Sequence, residues 1–171
     1  MAKQGVKIIK ATLDLQAKAG VGDVPLERVI RAERVIERDM TDFATLADKF
    51  LNDLHDAILK ARGAAGDSDT LMAGLVKPVM ELKANGPMFK YELVGSLANV
   101  MLGFLEHVME LDSDIIQIVE AHHTTINLII RKRMKGDGGA SGPILKSELE
   151  AACARYFTKN PKNFKSAKAK A

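Results

Sequence analysis

The chain has 171 residues, of which 47% are hydrophobic and 27% charged, and a net charge of +3. That length suits one domain with tails and is enough to bury a core without covalent staples. A single cysteine, Cys153, excludes an intramolecular disulfide framework and a thiolate zinc site, and the small net charge gives no reason to expect nucleic acid as a partner.

The start, MAKQGVKIIKATLDLQ, is charged throughout and lacks the apolar core and small-residue cleavage site of a secretory signal. No apolar run reaches the roughly 18 residues of a membrane span. A cytoplasmic protein without a membrane span is therefore expected. Gln4–Ala17 reads as a short amphipathic helix carrying Val6, Ile9 and Leu13 on one face, and AGVGDVP then breaks it.

Asp23 is a good N-cap and Pro25 is tolerated in a first turn. From Val24 to Arg62, apolar residues such as Val29, Ile36, Met40, Phe43, Ala47, Phe50, Leu54 and Ile58 recur at about 100° per residue. The pattern predicts one helix of roughly 38 residues, about 57 Å long. GAAGDSD ends it, and Asp67 or Ser68 should cap the next helix, which carries Leu71, Leu75, Val79 and Leu82. Pro78 within that pattern predicts a kink or a split. ANGP reads as a stop, with Asn85 and Gly86 for a left-handed cap and Pro87 opening the following helix.

That helix is expected over Met88–Leu111, with Leu93, Leu97, Met101, Phe104 and Val108 inward. Its other face places Gly95, Ser96, Asn99 and Gly103 in a row of small side chains. Such a row allows a second backbone to come close, either inside the fold or across a homodimer or partner interface. ELDSD, with Asp112 or Ser113 as cap, separates it from a helix over Ile115–Lys135 that ends in Arg131, Lys132, Arg133 and Lys135, as the helix dipole prefers. GDGGASG reads as a flexible connector, and Pro143 to Phe157 as a last helix with Leu149, Cys153 and Tyr156 available for burial. The final TKNPKNFKSAKAKA is rich in lysine, has no acid and predicts a solvated tail. The expected fold is all-α: an antiparallel bundle of four main helices with a short N-terminal helix and a C-terminal helix, divided as 1–22, 23–158 and a disordered tail at 159–171.

The helix at Ile115–Lys135 holds two adjacent histidines. On a helical wheel the apolar face centres on Ile115, Val119, Ile126 and Ile129, and His122 falls at that centre. His123 lies on its shoulder, and Glu120, Gln117 and Thr124 belong to the polar side. A core histidine satisfied by hydrogen bonding is the expected state of His122. Glu33 and Glu37 are the acids expected nearest to it.

Other chemistries are weaker. Glu120-x-x-His123 has the spacing of ferritin-like di-iron bundles, which need two such pairs plus two further carboxylates. The chain has no second pair, since Asn52 stands three positions before His55, so no metal or other cofactor is expected. Histidine phosphotransfer bundles use a motif like His-x-x-Lys-Gly, which none of His55, His107, His122 and His123 matches. Asp114-x-x-Gln117 places an acid and an amide one turn apart, as some chemotaxis phosphatases do. Nucleophilic catalysis has no support, because Cys153 sits among alanines in an amphipathic helix.

The stretch LKANGPMFKYELVGSLANVMLGFLEHVMELDSDIIQIVEAHHTTINLIIRKRMKGDGG resembles the helical regions of some alphaproteobacterial signalling proteins associated with response regulators and chemotaxis. The resemblance covers much of Leu71–Phe157 and implies a signalling partner such as a response regulator; it supplies no site residues. The sequence thus points to a non-enzymatic interaction module in bacterial signal transduction, with a phosphorelay component or a ferritin-like metal-binding bundle as alternatives.

Overall fold

A computed structural model describes residues 25–38, 42–63 and 66–165. The helix expected at Gln4–Ala17 and the last six residues of the tail lie outside them. The chain divides into two compact units, Met1–Met40 and Thr41–Ala171. In the first unit, α1 (Leu26–Arg38) groups Leu26, Val29 and Ile30 on one side of a helix otherwise rich in arginine and glutamate. The second unit holds α2 (Phe43–Arg62), α3 (Ser68–Met88), α4 (Glu92–Glu106), α5 (Ser113–Arg131), α6 (Ser141–Lys159) and a 3₁₀ turn at Pro161–Asn163. The described residues are all-helical apart from loops and one isolated bridge, Val108 to Phe164.

The single helix expected over Val24–Arg62 is not formed. Asp42 is extended, with φ −72° and ψ 115°, and its carboxylate accepts the Ala44 N–H at 3.2 Å, so α2 begins afresh at the buried Phe43. An aspartate satisfies the free N–H groups of a first turn, which makes starting a helix there cheap. Periodicity hid the break, because Met40 and Phe43 keep the apolar spacing on either side of it.

The stop expected at ANGP is also overturned. α3 runs through both Pro78 and Pro87 to Met88, without splitting at Pro78, and the chain turns only at Lys90, whose φ is +64°. Gly86 and Gly95 explain this. Tyr91 N–H donates to the Gly86 carbonyl at 2.9 Å, and a Cβ on Gly86 would lie 3.1 Å from the Tyr91 oxygen. A Cβ on Gly95 would lie 2.6 Å from Pro87 Cγ. The proline ring therefore stays in the helix because α4 leaves it room, and the next helix opens at Glu92 instead of Met88.

The connector GDGGASG is tied down. Gly136 N–H donates to the Lys90 carbonyl at 2.7 Å, and Leu93 N–H donates back to Gly136 at 3.0 Å. Gly138 adopts φ +80°, where a side chain is strained. α6 consequently begins at Ser141, two residues before Pro143.

The core is built from one side of each helix: Leu54 and Ile58 of α2, Leu75 and Leu82 of α3, Leu97, Met101 and Leu105 of α4, and Ile115, Ile126, Ile129 and Ile130 of α5 are fully buried. α6 packs on α4 and α5 through Leu149, Cys153 and Tyr156. Burial pushes the Cys153 thiol up to about 11, so it behaves as a small apolar side chain.

The tail expected from residue 159 starts as a strap. Asn163 accepts the N–H groups of Met109 and Glu110 and donates to the Glu110 carbonyl, while Lys165 N–H donates to the His107 carbonyl at 2.7 Å. The Phe164 ring stacks on His107 with centroids 5.3 Å apart. Tyr156 donates to Asp112, the N-cap of α5, and accepts from Asn163. Burial and that bond to Asp112 push the Tyr156 hydroxyl up to about 12.

Candidate functional site: the polar seam between α2 and α5

α2 and α5 run antiparallel, as their cross-pairs show. Arg133, just past the end of α5, pairs with Asp42 before α2 begins, and Arg62 at the end of α2 pairs with Glu120 at 2.6 Å. Between them Arg131 lies 2.8 Å from Asp48, a charge contact without hydrogen-bond geometry, since Asp48 Oδ1 is buried without a hydrogen-bond partner. Asn127 Oδ1 is likewise buried and unpartnered.

Midway along this seam His123 lies 3.1 Å through Nε2 from the Leu51 carbonyl, and its ring lies 5.7 Å from that of His55, tilted by 32°. His123 is half-buried and His55 exposed. Burial lowers the His123 pKa below the usual 6.5; the Leu51 carbonyl opposes this, the neighbouring His55 adds to it, and Glu120 opposes it. The structure thus brings three of the residues singled out in the sequence, His55, Glu120 and His123, onto one seam.

His122 does not belong to it. Its ring is fully buried, and Nδ1 meets the carbonyl of Ile118 one turn back at 2.9 Å. Nε2 has no partner. Burial lowers its pKa below 6.5, against the weaker opposite effect of the Ile118 carbonyl. Ile118 is the ring's hydrogen-bond partner among the described residues, and the side chain of Glu37, one of the two acids named from the sequence, lies outside them. A core position is as read from the wheel, but the histidine is satisfied at one nitrogen only.

Asp114 and Gln117 are both exposed on the first turns of α5. Gln117 lines a cleft with Arg62, Leu111, Ser113 and Ile116, so it opens beside the Arg62–Glu120 end of the seam. The small-residue row is not a single face. Gly95 is buried against Pro87, Ser96 and Asn99 are exposed, and a Cβ on Gly103 would meet nothing within 4 Å. Among the described residues no three His, Cys, Asp or Glu side chains converge on a common point. No helix among them is long and apolar enough to cross a membrane.

Sequence reasoning missed Arg62 as the partner of Glu120, and it missed a groove between α2 and α3. Phe50, Ala57, Leu71, Gly74 and Pro78 form its apolar floor, and its volume is about 520 Å³. Lys49, Asp53, Asp56 and Lys60 rim it on α2, and Lys77 and Glu81 on α3. The legible signal was Gly74 four residues before Pro78, a small residue and a rigid one on the same helix face. No family model, curated protein or solved structure matches the chain.

Proposed function

We propose that the chain is a non-enzymatic helical interaction module of bacterial signal transduction, working in the cytoplasm on a protein partner such as a response regulator. In this reading α2, α3, α4 and α5 form an antiparallel four-helix unit to which α6 is added. The observation that carries it is the α2–α3 groove. An apolar floor between rims bearing both signs of charge suits an amphipathic helix of the partner, with its apolar stripe on Phe50, Leu71 and Pro78 and its flanking charges opposite Asp53, Asp56 and Lys77. Gly74 keeps the floor low: a Cβ there would meet only Ala57, at 3.7 Å, so a large side chain would rise into the groove and leave the helix pair in place.

The test is titration of purified receiver domains, with and without their phosphoryl group, into the full chain. Saturable binding weakened at least tenfold by Gly74→Trp is expected. Binding to no receiver domain, or equal binding by Gly74→Trp, rejects the reading.

Asp114 and Gln117, both exposed, the latter in a cleft shared with Arg62, support a second reading as a response-regulator phosphatase. The same titration distinguishes it: accelerated loss of acyl phosphate, abolished by Gln117→Ala, is the phosphatase outcome, and phosphoryl transfer to the exposed His55 is the phosphotransfer outcome. A homodimer across Ser96, Asn99 and Gly103 is part of the proposal. Open space at Gly103 makes Gly103→Leu a clean probe of it, and an unchanged mass by light scattering removes the dimer.

A further inference from the structure

Imidazole is the commonest protein ligand for borderline divalent cations, and it binds through the lone-pair nitrogen of a neutral ring. A site needs two such nitrogens near one another on elements that hold their positions. The seam brings two rings together on such elements, His55 of α2 and His123 of α5, with centroids 5.7 Å apart.

The Leu51 carbonyl decides the state of His123. A carbonyl only accepts, so Nε2, 3.1 Å away, carries the hydrogen and donates it. In the neutral ring Nδ1 is then the lone-pair nitrogen. A backbone carbonyl on the far N–H is the usual device by which a metal-ligating histidine is oriented and made more basic. His55 is exposed, and no protein group among the described residues holds its ring by a hydrogen bond.

The spacing suits a shared ion. With metal–nitrogen bonds of about 2.0–2.1 Å, two imidazoles on one tetrahedral cation have ring centres roughly 5–6 Å apart. His55 and His123 stand 5.7 Å apart. Glu120, three residues before His123, is taken by Arg62 at 2.6 Å and stays outside the pair.

We propose that His55 and His123 form a two-histidine surface site for a divalent transition cation of the Cu(II), Ni(II) or Zn(II) kind, with the remaining coordination positions left to water or to a group of a bound partner. The site is distinct from the ferritin-like arrangement, which would use Glu120 and further carboxylates, and it stands independently of the α2–α3 groove.

The experiment is calorimetric titration of the tag-free full chain with ZnCl₂ in a non-coordinating buffer, followed by nitrogen-15 spectra of the histidine rings. One ion per chain is expected, with His123 Nδ1 the ring nitrogen that shifts most. His55→Ala and His123→Ala should each weaken binding at least tenfold, and His107→Gln should leave it unchanged. Because His55 is exposed, His55→Ala tests the site even if His123→Ala fails to fold. No zinc uptake up to millimolar concentration, or uptake that survives His55→Ala, overturns the proposal.

Discussion

His122 and His123 are neighbours in the chain and inhabit oppositely built regions. Each ring has one nitrogen on a backbone carbonyl, but the carbonyls differ. The Ile118 oxygen holds His122 through Nδ1, from within its own helix, whereas the Leu51 oxygen holds His123 through Nε2, from across the seam. The two neutral rings are therefore opposite tautomers. One lone pair is buried in the core, where it has no partner; the other belongs to a ring on a seam beside a second imidazole. The lesson is that a one-residue step of about 100° on a helix changes which carbonyl selects the tautomer, and with it whether the ring is packing or chemistry.

The widest separation between the regions should appear on truncation. His122→Ala empties a fully buried site and should cost about 2–5 kcal/mol, the range for large-to-small changes in cores. His123→Ala, half-buried, should cost about 1 kcal/mol. Urea unfolding of both variants measures the difference. His122→Leu sharpens the point: with Nε2 unpartnered, an apolar side chain of similar volume should lose less than about 1.5 kcal/mol. A loss as large as that of His122→Ala would show that Nε2 has a partner the packing does not reveal.

Acid is the next probe. Both rings have folded-state pKa values below the unfolded 6.5, so folding favours their neutral forms. Below pH 6.5 the unfolded chain takes up protons that the folded chain refuses, and stability falls by up to about 1.4 kcal/mol per pH unit for each such group until its folded pKa is reached. Above pH 6.5 these groups add no slope. Urea midpoints between pH 7 and pH 5 should fall steeply for the native chain and less steeply for His122→Leu. Parallel slopes in the two proteins would place the effect outside His122.

What the sequence disclosed of this follows from what periodicity encodes. The inward faces of α2, α3, α4 and α5 and the split between His122 and His123 were legible because burial repeats with the helical turn. The Asp42 break was not, because Met40 and Phe43 preserve that repeat across it; the cap residue was visible and was outvoted. ANGP misled for the converse reason. Its local signals are real, but Gly95, eight residues beyond Pro87, accommodates the proline ring, and no local pattern records that. The pairing of His55 with His123 and of Arg62 with Glu120 depends on the stagger between α2 and α5, a property of the two helices together.

The smallest expected effect concerns that stagger. Arg62 and Glu120 meet at 2.6 Å but keep 52% and 42% of their side-chain surfaces in water. Exposed pairs of this kind contribute less than about 1 kcal/mol, and salt screens them over a Debye length of about 10 Å at 0.1 M. A double-mutant cycle with Arg62→Ala and Glu120→Ala should therefore return a coupling below about 1 kcal/mol that shrinks as salt is added. The seam would then hold its register chiefly through the packing of Leu51, Leu54 and Ile58 on α5 and the Leu51–His123 bond, with the ion pairs trimming alternatives. A coupling above about 2 kcal/mol, insensitive to salt, would reverse that order: the polar seam, and not the core beneath it, would set how α2 lies on α5 and hence where the His55 and His123 rings meet.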